Sequence, residues 1–353
     1  MSSCSIKVFS KQNDKYIISE NKRVNQIVYV NTNMMSSDCS NNNCNAITPF
    51  DIQQKMGLGI NLGNRLDLYQ QPDREVKQDF INDYANKGFK NIRIPVCWDG
   101  HTGSTAPYTI DSTFLNKVKQ IVDWSLKKGM ITIINTHHEK WLDEAGPSFL
   151  NKLPRLEAIW KQIADTFVGY SEMLLFEIFN EPKNMTIDQL NKMNSSVIPI
   201  IRTKHKTRLI LLMGLQFGNP TWIVSNPKSL IIPQDKYIML EIHNYDPYNY
   251  TNPKPTKFQW GSDQDIQALY KWSNDIDKWS KQNNILIYYG EFGCSNSQNA
   301  NTGMYKWFKY HADVIKSKGW GASVWNDGGQ HLIYNYTTEK WDENIIAALG
   351  INK

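Results

Sequence analysis

From residue 49 to the end of the chain, short apolar runs recur between longer amphipathic stretches. Eight of the runs have the length of strands: residues 57–63, 91–96, 130–137, 174–181, 208–214, 237–245, 285–293 and 321–327. Between them the apolar positions take a three-to-four-residue spacing, as in "DSTFLNKVKQIVDWSLKKG" and "MYKWFKYHADVIKSKG". Several of these stretches close on glycine, the usual helix stop. The connection "NPTWIVSNPKSL" is shorter and broken by proline, so a weak fifth helix is expected there. Eight strands alternating with helices in one chain predict an α/β fold, a (β/α)8 TIM barrel. A doubly wound open sheet is the competing topology, but it usually binds phosphate on an early glycine-rich turn that opens a helix. Here "GLGINLGN" runs into "RLDLYQQPD", where no helix opens.

A barrel carries its active site at the C-terminal ends of its strands, so those ends are where chemistry is sought. The first ends in Asn64 with Asp67 just beyond; the second carries Arg93; the third ends in His137, His138 and Glu139. The fourth ends in Asn180 and Glu181, the sixth in His243 and Tyr245, the seventh in Glu291, and the eighth in Trp325, Asn326 and Asp327. Buried polar groups cost free energy unless paired, so their recurrence at one end of the strands is not a packing feature. Glu181 and Glu291 fall on strands that lie nearly opposite across the mouth. Facing carboxyl groups are what glycosidic-bond cleavage needs, one to protonate the leaving oxygen and one to attack or to activate water. Glu177 and Glu241 lie four residues below the ends of their runs, where an ion pair with Arg93 is the expected role.

Composition narrows the function further. With 41% hydrophobic and 21% charged residues the chain reads as globular, and its net charge of +5 is spread over amphipathic stretches. That distribution fits solvated helix faces and gives no nucleic-acid footprint. No run reaches the roughly 18 to 20 apolar residues that a membrane helix needs. Residues 1–48 differ from the rest, being rich in Asn, Ser and Lys with short β-branched runs, and are read as an N-terminal arm or small strand pair before a catalytic domain at 49–353. Their start holds no continuous apolar segment of signal-peptide length: either the chain is not exported by that route or it is a mature or engineered form. Cys39 and Cys44 are the one close cysteine pair, equally readable as a local disulfide or as two thiols; Cys97 and Cys294 follow apolar runs and are expected in the core. The His-x-x-x-His and His-x-His spacings of metal-dependent barrels are missing around His137 and His138, so no metal or other cofactor is expected.

The segments "GINLGNRLD", "RIPVCW", "INTHHE", "FEIFNEP", "HNYDPY", "YYGEFG" and "SVWNDGG" occur in this order on seven of the eight expected strands. Together they resemble glycoside hydrolase family 5, the cellulase-like retaining β-glycanases. The resemblance implies that Glu181 is the acid/base, Glu291 the nucleophile and Asn180 a ligand of the sugar 2-hydroxyl. It implies that Arg93 and Tyr245 flank Glu291, that His243 sits beside Glu181, that His137 and His138 line the sugar subsites, and that Asn64 and Asp67 lie further along the cleft. Flat indole rings stack on pyranose faces; among the tryptophans at strand ends and in loops, Trp325 and Trp260 are the expected platforms. The implied activity is that of a retaining endo-β-1,4-glucanase acting on a β-linked polysaccharide as a monomer, with β-mannanase or xyloglucanase as alternatives. The resemblance also implies secretion. An inactive carbohydrate-binding barrel is the remaining reading, and the presence of both glutamates stands against it.

Overall fold

Eight parallel strands follow one another around a closed barrel: β1 (Leu58–Asn61), β2 (Asn91–Ile94), β3 (Ile131–Asn135), β4 (Leu174–Glu177), β5 (Ile210–Met213), β6 (Ile238–His243), β7 (Leu286–Phe292) and β8 (Gly321–Val324), with β8 pairing back onto β1. The computed structural model describes residues 47–298 and 302–351, so the N-terminal arm, except for its last two residues, and the Cys39 and Cys44 pair lie outside the described residues. Six helices occupy the expected connections: Gln78–Lys87, Ser112–Lys127, Phe149–Thr166, Ile187–Lys204, Asp263–Asn283 and Met304–Lys318. The proline-broken connection holds only the short helix Pro220–Ser225, its start capped by the Asn219 side chain.

The strands read as unbroken apolar runs because both faces are covered. Their outward residues, such as Ile92, Ile94, Ile134 and Phe176, pack against the helices in one large core. The inward residues of the lower barrel form a second core, in which Ile131, Ile133, Leu175, Leu211, Met239 and Tyr288 meet Ile52 and Met56. Those last two come from the helix Pro49–Met56, which plugs the bottom. Its start is fixed by a capping box, in which Thr48 Oγ1 accepts the Asp51 N–H and the Asp51 carboxylate accepts the Thr48 N–H. Cys97 and Cys294 are buried free thiols, as the apolar runs before them suggest.

Above the apolar plug the barrel interior turns polar, and the change follows strand parity. Alternation places Asn61, Arg93, Glu177 and Glu241 inward in successive positions of β1, β2, β4 and β6, and all four are fully buried. β7 departs from parity. Tyr289 and Phe292 both pack outward around His311, leaving Gly290 and Glu291 between them, and the register shifts against β6 and against β8 here. This irregularity turns Glu291 toward the mouth. It also needs a glycine, because a Cβ at Gly290 would lie 1.8 Å from Glu241 Oε1.

Gly290→Ala is therefore expected to lower unfolding free energy by about 1–3 kcal/mol, the usual cost of an extra methyl in a packed interior. Urea unfolding followed by fluorescence measures it; unchanged stability would mean that the bulge can open to admit a side chain.

Candidate active site

Arg93 rises from β2 into the centre of the barrel and gathers the polar layer. Its Nε and Nη2 donate to the two oxygens of Glu177 at 2.6 and 2.7 Å, a bidentate pair. Nη1 donates to Glu291 Oε1 at 2.6 Å and to Asn61 Oδ1 at 3.0 Å, and Nη2 also reaches Asn180 Oδ1 at 2.7 Å. Glu241 Oε1 lies 3.2 Å from Nε. The Arg93 bond fixes the orientation of the Asn180 amide, so its NH2 group is left to donate at the wall of the neighbouring cavity.

The same layer sets the charge of Glu291. Burial alone would raise its pKa; the charges on His243 and Arg93 and the hydrogen bonds from Tyr245 and Arg93 outweigh burial and hold it below the ordinary carboxylate value. Tyr245 donates its hydroxyl to Glu291 Oε2 at 2.8 Å. Burial and the adjacent Glu291 charge raise the pKa of that phenol well above the usual value, so it keeps the proton it donates. Glu181 is pushed the other way, first by burial and then by the Glu291 charge. Two carboxyl groups in one cleft are thus driven to opposite protonation states.

His243 ties the pair together. Its Nδ1 lies 2.9 Å from Glu181 Oε1 and 3.7 Å from Glu291 Oε2, and its Nε2 lies 3.2 Å from Glu241 Oε1. Burial would lower its pKa, but the Glu291 charge and the bonds to Glu181 and Glu241 push it up to about 10. One ring nitrogen of His243 and one oxygen from each of Glu181 and Glu291 lie within 4.8 Å of one another.

Glu181 stands beyond the strand rather than at its end. β4 stops at Glu177, and Glu181 follows in a turn with left-handed backbone, φ +47°. Its backbone N–H is donated to Met213 Sδ at 3.2 Å. The side chain looks into a cavity of about 480 Å³ that is also bordered by His137, His138, Tyr245, Glu291 and Trp325. The His137 and Trp325 rings are parallel to within 8°, their centroids 6.2 Å apart.

Either carboxyl-histidine group, Glu181–His243–Glu291 or Asp67–His137–His138, brings three donor atoms within the reach of a metal ion. Their hydrogen bonding argues against metal. The Glu291 charge and the bonds to Glu181 and Glu241 favour the protonated His243 ring, so a metal ion there would have to displace that proton. Asn135 donates its amide to Glu177 Oε1 and faces His137 Nδ1 at 3.1 Å, which makes Nδ1 the acceptor and leaves the proton on Nε2. His137 is then a neutral hydrogen-bond donor; burial and the neighbouring His138 hold its pKa well below the ordinary value.

Three expected site residues do not border the cavity. Trp260 is a correction: only 6% exposed, it packs edge-on against Tyr310, and its backbone N–H is donated to the Thr302 carbonyl, because the end of its loop docks on the start of the helix Met304–Lys318. It is a core residue and offers no face to a sugar. Asn64 sits in the left-handed turn after β1, φ +56°, and is not among the residues bordering the cleft; the asparagine of β1 that serves the site is Asn61. Asp67 is buried beside His137 and His138 with its carboxylate accepting the Arg65 N–H, and burial pushes it up to about 6. Sequence reasoning missed Asn61 and Asn135, both polar residues at inward parity within apolar strands, which was the available signal. Trp98, a tryptophan just beyond the end of β2, is fully buried and donates its indole N–H to the Asn135 carbonyl.

The profile of the cellulase family, glycosyl hydrolase family 5, matches residues 25–330. Endoglucanase H of Acetivibrio thermocellus is 38% identical over 313 residues, covering 86% of this chain and 34% of that protein, so the chain spans about a third of the relative's length. Endoglucanase A of Ruminococcus albus is 27% identical over 326 residues, covering 84% of this chain and 88% of the relative. The crystal structure of endoglucanase Cel5A from Thermotoga maritima is 28% identical with a TM-score of 0.79, covering 86% of this chain and all of the other; further structures of that protein hold mannotriose and cellobiose. With the barrel, its ordered strand-end motifs and a family match across most of its length, the chain belongs to glycosyl hydrolase family 5.

Proposed function

We propose that the protein is a retaining endo-β-1,4-glucanase. The observation that carries this reading is the pair of glutamate oxygens, one from Glu181 and one from Glu291, held within 4.8 Å of each other and of His243. Retaining glycosidases hold their carboxyl groups about 5–5.5 Å apart, whereas inverting ones leave about 6.5–9.5 Å for a water molecule. In the first step Glu291 attacks the anomeric carbon and Glu181 gives its proton to the departing glycosidic oxygen, leaving an ester between sugar and Glu291. In the second step Glu181 takes a proton from water as that water attacks the anomeric carbon and the ester bond breaks. Asn180 donates to the sugar 2-hydroxyl, a contact that strengthens toward the oxocarbenium-like transition state. The relatives' names support glucan as the substrate. The mannotriose bound by a structural neighbour supports mannan as a second reading.

The first product released is expected to be the β-anomer, read by NMR; α-anomer as the first product would mean inversion. Glu291→Gln should abolish turnover of every substrate. Glu181→Ala should keep measurable formation of the glycosyl-enzyme from an aryl glycoside, whose leaving group needs little protonation. Equal losses from the two changes on both substrate types would undo the division of roles.

Activity should be bell-shaped in pH. It is lost as pH falls through the depressed pKa of Glu291, which protonates the nucleophile, and lost as pH rises through the elevated pKa of Glu181, which removes the proton for the leaving oxygen. Tyr245→Phe deletes a hydrogen bond that keeps Glu291 ionised, so the acidic limb of kcat/KM should move to higher pH. An unmoved acidic limb would assign it to another group.

On a panel of soluble β-1,4-glucan, mannan and xyloglucan, the glucan should lose viscosity well before many reducing ends appear. Faster attack on mannan would favour the second reading, and steady release of one small sugar with constant viscosity would reject internal cleavage.

A further inference from the structure

The turn that carries Glu181 has few backbone bonds to hold it. Beyond β4 the chain leaves the sheet, and Glu181 takes left-handed backbone, φ +47°, a conformation that a glutamate keeps only where its surroundings impose it. The backbone donors of the turn identify those surroundings. Pro182 has no N–H to give, and the Glu181 N–H meets the Met213 sulfur, a weak acceptor. The N–H groups of Lys183 and Asn184 are both donated to Asp143 Oδ1, each at 3.1 Å. Asp143 Oδ2 accepts the Asn184 side-chain amide at 2.7 Å. From Glu181 to Asn184, one carboxylate oxygen is therefore the only oxygen acceptor that the backbone N–H groups find among the described residues.

The loop after β3 puts Asp143 in place to do this. Asp143 ends the single-turn helix Lys140–Asp143 and is buried. Burying a carboxylate is costly unless its oxygens are hydrogen-bonded, and the hydrogen bonds to this one come from Lys183 and Asn184. Glu139 anchors the start of the same helix: one of its oxygens accepts the Trp98 backbone N–H at 2.6 Å and the other the Trp141 indole N–H. Gln189, in the first turn of the helix after β4, donates its amide to the Gly146 carbonyl at 2.8 Å and adds a second tie between the two connections. The loop after β3 is thus fixed to the end of β2 by Glu139 and grips the turn after β4 by Asp143.

We propose that Asp143 is a positioning residue for the acid/base: through the backbone of Lys183 and Asn184 it holds the Glu181 turn where its carboxyl group can reach the departing oxygen. The proposal rests on the retaining-glycosidase reading. Proton transfer needs the donor within hydrogen-bond reach of the leaving atom, so a loosened turn costs most where the leaving group most needs a proton. Attack by Glu291 is spared, because Arg93 and Tyr245 hold the nucleophile from other strands.

Two aryl β-cellobiosides test this, a dinitrophenyl one whose leaving group needs little protonation and a phenyl one whose leaving group needs much. Lys183 and Asn184 are exposed, so in Asp143→Ala water can satisfy the freed N–H groups, and the fold should survive while the fixed position is lost. The variant should lose about tenfold in kcat/KM on the phenyl substrate and stay within about twofold of the parent on the dinitrophenyl one. Asp143→Asn keeps an oxygen for both N–H groups and should regain most of the phenyl rate. Equal losses from Asp143→Ala on the two substrates, no loss on either, or no recovery in Asp143→Asn would overturn the proposal. A parent enzyme inert toward both aryl cellobiosides and toward cellopentaose and mannopentaose would instead overturn the glycosidase reading, and the proposal with it.

Discussion

One buried guanidinium organises the whole upper barrel. Arg93 has no solvent exposure, and an isolated charge in such a place would be very costly. It is tolerated because its donors are taken by acceptors from β1, β4, β7 and the turn beyond β4. The interaction runs both ways: the carboxylates need the cation as much as the cation needs them. Removing one partner would leave an uncompensated buried charge, with a cost of about 3–5 kcal/mol. The catalytic layer is therefore also a structural layer, and the apolar plug formed by Ile52 and Met56 below supplies the packing that the polar layer cannot.

Rigidity at the centre gives precision at the mouth. Glu177, Asn61 and Asn135 touch no sugar in the proposed reaction, yet each helps to hold the groups that border the cleft. Asn61 and Glu177 hold Arg93, Arg93 holds Glu291 and Asn180, and Asn135 selects the tautomer of His137. A site assembled this way presents fixed dipoles to a developing positive charge and needs little rearrangement as the reaction proceeds.

Much of this was legible in the order of residues along the chain. The eight apolar runs and their polar ends predict a barrel with Glu181 and Glu291 at its mouth, and the depth of Glu177 and Glu241 follows from counting back along each strand. What periodicity could not reveal were departures from it. The bulge in β7 reverses the parity of Glu291, so its inward aim depends on pairing with both neighbours. The choice between Asn61 and Asn64 turns on where β1 ends, and strand ends are decided by backbone pairing. Trp260 and Trp325 show the same limit from opposite sides. Both are tryptophans outside the strands, but one docks on a helix start and the other borders the cleft, and residue type alone does not tell these outcomes apart.

The coupling between the two glutamates has a consequence in time as well as in space. Part of what keeps Glu181 protonated is the negative charge of Glu291 nearby. On the double-displacement reading that charge vanishes once Glu291 becomes an ester, and the upward pressure on Glu181 falls at the moment when its task changes from giving a proton to taking one. Hydrolysis of the ester returns the charge and with it the affinity of Glu181 for a proton. The acid and base strengths of one residue are thus clocked by the covalent state of the other, with no moving part beyond the bond itself.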